Sequence, residues 1–197
     1  MHGITRVLEI LAPVYDSLIN ILLGSYSQYM HSLIEFSDLT ANDVVLDIGC
    51  GTGELEYHLS NYIPCKNIFA VDISEKMVSI AKEKMKEINC PATILVNNAM
   101  PLPFEDNKFD IVFTSMVMHH FNDEEKKKVL HEIKRVLKPN GRYVSAEFCS
   151  RRNPLIWSVS YNGILKEEHL IDAGFEVIKE EEYKLSIVFR MLSPIKK

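Results

Sequence analysis

An α/β fold is predicted for this chain: a mostly parallel sheet of seven strands with one antiparallel strand, helices on both faces and an N-terminal helical cover. Short apolar runs that suit strands alternate with amphipathic helical stretches over residues 44–148, and such alternation is typical of parallel sheets. The last two strand-like segments, 175–181 and 185–192, follow each other without a helix between them. We therefore expect a closing hairpin that contributes the antiparallel strand.

Size and charge limit the classes of function. The 197 residues suit one domain, and the 47% hydrophobic and 25% charged composition is typical of a globular protein with a substantial core. The net charge is −5, whereas a nucleic-acid-binding protein usually carries a basic excess. We expect no nucleic-acid partner, and a monomer or homodimer.

The apolar and cysteine patterns predict a cytoplasmic location. No stretch approaches the roughly 18 apolar residues of a membrane span, and Arg6, Glu9 and Asp16 interrupt the apolar N-terminus where a signal peptide needs an unbroken run. The cysteines show neither a C-x-x-C pair nor zinc spacing; they are Cys50, Cys65, Cys90 and Cys149. We expect reduced thiols, no transmembrane segment and no metal site.

Residues 1–40 are predicted to form the helical cover, as part of the same domain as residues 41–197. Apolar residues recur there at helical spacing, and Pro13 and Gly24 interrupt the pattern. Such a segment either packs on the edge of the sheet or closes over a binding site. The tyrosines, and Tyr15 beside Asp16, favour the second role.

Five strands and four helices are predicted before the closing hairpin. The strands occupy about residues 44–48, 67–72, 93–96, 109–114 and 142–148, and the helices begin near residues 53, 74, 122 and 165. Ser74 suits a helix N-cap, and Asn122 with Glu125 forms a capping-box pattern. Lys138 to Gly141 is predicted to stop a helix and turn. The charged run 124–128 is expected to be solvated.

The organising motif is the stretch from Val44 to Glu54, in which an apolar strand is followed by three glycines at alternate positions and then a helix. Glycine allows positive φ and lets a ligand lie against the backbone. Three further polar segments follow strands 2, 3 and 4, and they contain Asp72, Asn98-Ala99 and Ser115 with His119-His120. Open α/β sheets bind ligands at these carboxyl ends.

The residue types favour a cationic adenosine cofactor. An acid at the end of strand 2, Asp72, is placed to accept hydrogen bonds from a ribose diol. The glycine spacing is G-x-G-x-G, whereas dinucleotide folds use G-x-G-x-x-G, and the carboxylate of Asp47 would repel a pyrophosphate. S-adenosylmethionine carries an ammonium and a sulfonium and no phosphate, so it suits this loop better than NAD.

Four segments resemble the Rossmann-like class I S-adenosylmethionine-dependent methyltransferases. Val45 to Gly53 resembles their motif I, and Ala70 to Ser74 resembles their strand-2 acid motif. Asn98 to Phe113 is similar to the D-A-x-x-L-P-F-x-D-x-x-F-D stretch of the subgroup that includes the ubiquinone/menaquinone-biosynthesis methyltransferases. Leu137 to Arg142 matches their L-K-P-G-G-x segment. The resemblance covers about residues 40–180.

The resemblance implies a role for each matching position. The Gly49–Gly53 backbone, including Cys50 and Gly51, would hold the methionine part with Asp47 near its ammonium, and Asp72 would bind the ribose. The remaining cofactor contacts would come from Ile73, Met77, Asn98, Ala99 and Ser115. Met116 would also border the sulfonium end.

This chain departs from that pattern at two places. Asn98 stands where the family usually has Asp, although an amide can still accept from the adenine amino group. His119-His120-Phe121 matches the general subgroup, whereas the quinone-biosynthesis enzymes carry an Arg-Asn-containing segment. The stretch Ala12 to Asn20 resembles the A-x-x-Y-D-x-x-N opening of those enzymes, but the connection of about 149–163 is shorter than theirs.

Methyl transfer from a sulfonium is an in-line displacement in which the enzyme chiefly aligns the acceptor. A base is needed only when the nucleophile must lose a proton. His119 and His120 are the candidates, because histidine titrates near neutral pH, and Tyr15 is a candidate for positioning the acceptor. Each of the three could instead be a packed residue. Glu147 at the end of strand 5 either faces the acceptor or is a solvated or structurally paired carboxylate.

The sequence thus predicts S-adenosylmethionine-dependent methyl transfer to a small-molecule or lipid-like acceptor, with S-adenosylhomocysteine as product. The alternatives are an NAD-dependent oxidoreductase and a non-catalytic S-adenosylmethionine-binding protein.

Overall fold

The computed structural model describes residues 10–148, 164–184 and 187–195. Three predictions fall outside these residues: the helical start of the N-terminal cover before residue 10, the short connection at 149–163 with Trp157, and the thiol of Cys149.

Seven strands form one sheet within the described residues. They are β1 (Val45–Ile48), β2 (Ile68–Asp72), β3 (Thr93–Val96), β4 (Phe109–Ser115), β5 (Leu137–Phe148), β6 (Phe175–Tyr183) and β7 (Ile187–Pro194). Their order is β3-β2-β1-β4-β5-β7-β6. The β1–β2, β2–β3 and β4–β5 pairs are parallel, whereas β7 runs antiparallel to both β5 and β6. The prediction of a Rossmann-like, mostly parallel sheet with one antiparallel strand is confirmed.

The helices lie close to their predicted positions. They are α1 (Tyr15–Leu23), α2 (Tyr26–Phe36), α3 (Glu54–Leu59), α4 (Glu75–Glu87), α5 (Asp123–Val136) and α6 (Glu167–Asp172). No helix among the described residues combines the length and apolar character that crossing a bilayer requires. The chain forms two compact units, with the boundary between Ala99 and Met100.

In the first unit, α1 and α2 precede the sheet. The Pro13 interruption is a 3-10 turn before α1, and Gly24 ends α1 with a φ of 76°. Ser25 caps α2 by accepting a hydrogen bond from the amide of Gln28, as short polar side chains commonly do. Of the nine residues of α1 only Leu23 is buried, whereas α2 buries six of its eleven residues. Most of the packing of this segment is therefore made by α2.

In the second unit, two predictions concern the start of α5 and the point where α5 passes into β5. The predicted capping box is present, because Asn122 accepts from the amide of Glu125 and Glu125 accepts from that of Asn122. Strand β5 begins directly after α5 at Leu137, so the predicted turn at Lys138 to Gly141 lies inside the strand. A shift in the β4–β5 register between Phe109 and Ile111 absorbs the extra residues.

Two predictions about individual side chains are wrong. Lys126 is fully buried within the run that was expected to be solvated, and its ammonium donates to Asp123 at 3.2 Å. Cys65 and Cys90 form a disulfide instead of two thiols. The turn after α3 and the end of α4 bring their Cα atoms to 5.3 Å, which is within bonding range. Cys50 is a buried free thiol.

Candidate active site

The glycine loop joins β1 to α3 in the first unit. The amides of Gly49 and Cys50 donate to the carbonyl of Val71 on β2, at 2.7 and 3.1 Å. Gly53 then begins α3 with a φ of 81°, and a Cβ placed there would lie 2.8 Å from the Cβ of Ala81 on α4. This close approach of loop and helix requires a residue without a side chain.

We expect Gly53→Ala to lower the free energy of unfolding by about 2–4 kcal/mol, because it adds an overpacked contact with α4 to left-handed backbone strain. The matched control is Gly24→Ala. Gly24 has a similar φ of 76°, but a Cβ there would meet no atom within 4 Å, so only the strain of about 1–2 kcal/mol applies. Chemical denaturation measures both variants. Equal losses would contradict the role of the Ala81 contact.

Asp72 connects the glycine loop to the start of α4. One carboxylate oxygen accepts from the amide of Gly51 at 2.9 Å and the other from the amide of Ser74 at 2.8 Å. Burial raises the pKa of Asp72, and these two hydrogen bonds oppose the increase. Each carboxylate oxygen can accept a second hydrogen bond. The side chain can therefore hold the loop and still accept from a ligand hydroxyl.

Asp47 lies at the buried end of β1, with 3% of its surface exposed. Its Oδ1 accepts from no backbone amide or cationic side chain among the described residues. Burial raises the pKa of Asp47 to about 7, while a hydrogen bond from Glu56 lowers it and the charge of Asp72 raises it. A buried carboxylate oxygen without a donor, next to a loop of backbone amides, fits a cationic ligand group better than an anionic one.

The N-terminal segment contacts this loop. The hydroxyl of Thr52 donates to Asp16, and Lys84 of α4 donates to Asp16 at 3.0 Å and to Glu54 at 2.8 Å. A Cβ added to Gly51 would lie 4.0 Å from Cε1 of Tyr15. The predicted cover thus lies against the loop, whereas its opening and closing stays a prediction.

Desolvation of the half-buried phenol, together with the charges of Asp72 and Asp16, raises the pKa of Tyr15 to about 12. Its phenol therefore remains protonated at neutral pH. In this state Tyr15 can donate a hydrogen bond, but it cannot act as an anionic base.

The other predicted cofactor residues of the first unit differ in exposure. Met77 is buried, Ile73 is half-buried and Asn98 is exposed. Ala99 is buried with a φ of 61°, and its amide donates to the side chain of Asn97 at 2.7 Å. Asn97, which the sequence analysis did not single out, therefore shapes the turn after β3.

In the second unit, a buried carboxylate organises the turn that follows β4. Glu147 of β5 is 1% exposed, and its Oε1 accepts from the amides of Val117 and Met118 at 2.8 Å each. Its Oε2 lies 3.2 Å from Nδ1 of His119. The alternative in which Glu147 is structurally paired is therefore confirmed. Ser115 is the last residue of β4, directly before this turn.

The two histidines lie together but in different environments. Their ring centroids are 4.1 Å apart, and His119 is almost fully buried. Burial and the charge of His119 lower the pKa of His120 to about 4, so His120 is neutral at pH 7. Nδ1 of His119 lies 3.2 Å from Glu147, and because a carboxylate oxygen only accepts, Nδ1 carries a proton in this contact.

Two functional candidates were missed by the sequence analysis. Glu56 is fully buried beside Asp47, and Lys84 connects Asp16 to Glu54. The sequence did contain a pattern that could have identified Glu56, because this residue lies between Leu55 and Leu59 on the apolar side of a short helix. A charged residue at such a position is rarely buried unless it is paired.

A family model described as a methyltransferase domain matches residues 45–141. The demethylmenaquinone methyltransferase of Lactiplantibacillus plantarum is 32% identical over 160 residues, covering 79% of this chain and 67% of that protein. The chain belongs to the class I S-adenosylmethionine-dependent methyltransferases. Its subgroup is the one that includes the ubiquinone/menaquinone-biosynthesis methyltransferases.

Further comparisons agree with this class I methyltransferase assignment. The demethylmenaquinone methyltransferase of Lactobacillus johnsonii is 34% identical over 149 residues, which cover 74% of this chain and 60% of the relative's length. The crystal structure of a SAM-dependent methyltransferase from Aquifex aeolicus has a TM-score of 0.68 at 24% identity, over 90% of this chain and 97% of that one. The latter similarity supports the fold alone.

Proposed function

We propose that this class I methyltransferase binds S-adenosylmethionine and transfers its methyl group to a quinone-type ring. The observation that carries the cofactor half is the buried Asp47, whose Oδ1 accepts from no backbone amide or cationic side chain among the described residues, beside the amides of the glycine loop. Bound there, S-adenosylmethionine supplies a methyl group attached to a positively charged sulfur. This sulfur is the leaving group and keeps the electron pair of the bond.

The residues of the first unit suit the separate parts of this cofactor. We assign the ammonium to Asp47 and the ribose hydroxyls to Asp72, whose oxygens each keep one accepting position. Ile73 and Met77 are assigned to the adenine face and Asn98 with Ala99 to its edge. The role that the resemblance implies for Ser115, at the sulfonium end, stays a prediction.

The names of the two relatives make a demethylated naphthoquinone ring the acceptor class that we propose. In its reduced form such a ring carries a hydroxyl next to an unsubstituted carbon. Removing the hydroxyl proton makes that carbon a stronger nucleophile, so this acceptor requires a general base.

We assign the base role to Nε2 of His119, with Glu147 as its positioning residue. The proton of the acceptor hydroxyl passes to Nε2, and the resulting positive charge is stabilised by the carboxylate 3.2 Å from Nδ1. His120 is the weaker candidate, because a pKa of about 4 makes it a poor proton acceptor. Tyr15 is assigned to positioning the acceptor as a hydrogen-bond donor.

Isothermal titration of the purified protein tests the cofactor assignment. We expect heat with both S-adenosylmethionine and S-adenosylhomocysteine, and none with NADH, because a pyrophosphate would lie against buried carboxylates. Binding of NADH alone would contradict the proposal and favour the oxidoreductase alternative.

Mass spectrometry of products tests the acceptor class. With 1,4-dihydroxynaphthalene and S-adenosylmethionine we expect a product heavier by one methylene unit, methylated on a ring carbon. A protein that binds cofactor tightly but methylates neither this ring nor any other acceptor would support the non-catalytic alternative.

A further inference from the structure

Two buried carboxyl groups, on the two elements that the glycine loop joins, interact with each other. Asp47 on β1 is 3% exposed and Glu56 on α3 is 0% exposed. With both groups ionised, Oδ1 of Asp47 and both oxygens of Glu56 have no hydrogen-bond partner among the described residues. Two buried anions in that arrangement would be strongly unfavourable. One proton placed between them removes one charge and supplies a hydrogen bond.

The surroundings indicate which group carries the proton. Burial raises the pKa of Glu56 well above its ordinary value, and the charge of Asp47 raises it further. The hydrogen bond between the two lowers the pKa of Asp47. Glu56 is therefore the neutral donor and Asp47 the acceptor in the ligand-free protein.

Three other titratable groups face this pair. The charge of Asp72 raises the pKa of Asp47, and the charge of Lys84 lowers the pKa of Glu56. The charges of both carboxyl groups also act on the thiol of Cys50. The thiol of Cys50 stays neutral, because burial raises its pKa well above the usual value. Lys84 is already bonded to Asp16 and Glu54. Both hydrogen bonds of the described Lys84 ammonium thus go to other carboxylates, so the Asp47–Glu56 pair can still accept a cationic ligand group.

We infer that Glu56 is a positioning residue of the cofactor site, which donates its carboxyl proton to Asp47 in the free protein and releases it when the ligand ammonium binds beside the pair. This inference rests on the proposed function. The charges balance: a singly protonated pair and an ammonium become two carboxylates and the same ammonium, and one proton leaves to solvent.

The proton release has a measurable direction. Where the free protein holds one proton more than the complex, the affinity for the ligand rises with pH, by up to about tenfold per pH unit. The effect ends at the pH where the Asp47–Glu56 pair of the free protein has already lost its shared proton. This pH dependence distinguishes the proposed role of Glu56 from a purely structural one, because packing alone does not couple ligand binding to the release of a proton.

The first measurement uses the ligand-free protein. Infrared spectra of the wild type near pH 7 should show a protonated carboxyl band that disappears on raising the pH and is missing in Glu56→Gln. Glu87→Gln is the matched control, because Glu87 is exposed on α4, and it should keep the band. A wild-type protein without the band would overturn the inference, whatever ligand it binds.

The second measurement is titration with S-adenosylhomocysteine in phosphate and Tris buffers between about pH 6 and 7.5, where the ligand amino group stays protonated. The wild type and Glu87→Gln should release a fraction of a proton, whereas Glu56→Gln should bind without release and with a flat pH profile. Methylthioadenosine, which lacks the ammonium, should release none from any variant.

The outcomes separate the inference from the proposed function. Binding of S-adenosylhomocysteine without proton release, or with equal release by wild type and Glu56→Gln, overturns the inference and leaves the cofactor assignment supported. A protein that shows the carboxyl band but binds neither ligand overturns the cofactor assignment and, with it, the release step.

Discussion

Asp72→Ala is expected to lower the affinity for S-adenosylhomocysteine by at least about 100-fold. A ribose diol would form two hydrogen bonds with a charged acceptor, each contributing about 1.5–3 kcal/mol, and losing 3 kcal/mol changes a dissociation constant by more than 100-fold. The substitution also removes the acceptor of the Gly51 and Ser74 amides. The loop then loses part of its support in addition to its ligand contact.

Two variants distinguish these contributions. Asp72→Asn keeps one carbonyl oxygen but turns the other position into a donor facing a backbone amide, so we expect an intermediate loss. Asp172→Ala removes the same charge from an exposed position and should bind like the wild type. Calorimetry gives the affinities, and thermal unfolding identifies any loss of folded protein. An Asp72→Ala protein that is folded and binds within about threefold of the wild type would refute the ribose assignment.

The sequence was most informative where one residue type alone satisfies the local backbone. Gly53 had to be glycine because of the backbone conformation and the distance to Ala81, and that requirement is visible as a motif. The same holds for the Asn122–Glu125 capping box, in which both partners lie within one turn. The mostly parallel sheet and the closing hairpin also followed, because alternation and connection length are local properties.

The sequence was least informative where a property depends on residues far apart. The Cys65–Cys90 disulfide joins positions 25 residues apart, and no spacing rule predicts such a pair. Glu147 was known to end a strand, but its three partners lie 28 to 30 residues away. Lys126 looked like part of a solvated run, and only the packing of α5 shows that its side chain is buried.

Glu147→Leu and Glu147→Gln should separate two roles of one carboxylate. Leucine removes the acceptor of two backbone amides and of His119, and breaking a buried charged interaction of this kind costs about 3–5 kcal/mol. We therefore expect a large fall in the unfolding free energy, together with loss of methyl transfer. Glutamine can retain the fold, because its carbonyl oxygen can accept from Val117 and Met118 as Oε1 does.

In the glutamine variant, the amide nitrogen then faces Nδ1 of His119, where the wild type has an acceptor oxygen at 3.2 Å. Because this nitrogen donates, Nδ1 must accept, and the imidazole proton moves to Nε2. The lone pair that we assign to proton abstraction is thereby lost. Glu147→Gln should unfold within about 1 kcal/mol of the wild type and still bind S-adenosylhomocysteine, but it should lose at least about 100-fold in turnover.

Nitrogen NMR of the histidine rings provides a readout that needs no acceptor. The wild type should show the Nδ1-protonated tautomer of His119, and Glu147→Gln should show the Nε2-protonated one. Glu176→Gln, at an exposed position on β6, should leave the tautomer, stability and turnover unchanged. If Glu147→Gln inverts the tautomer and methyl transfer nevertheless continues at the wild-type rate, His119 is not the base, and Glu147 serves only to hold the turn after β4.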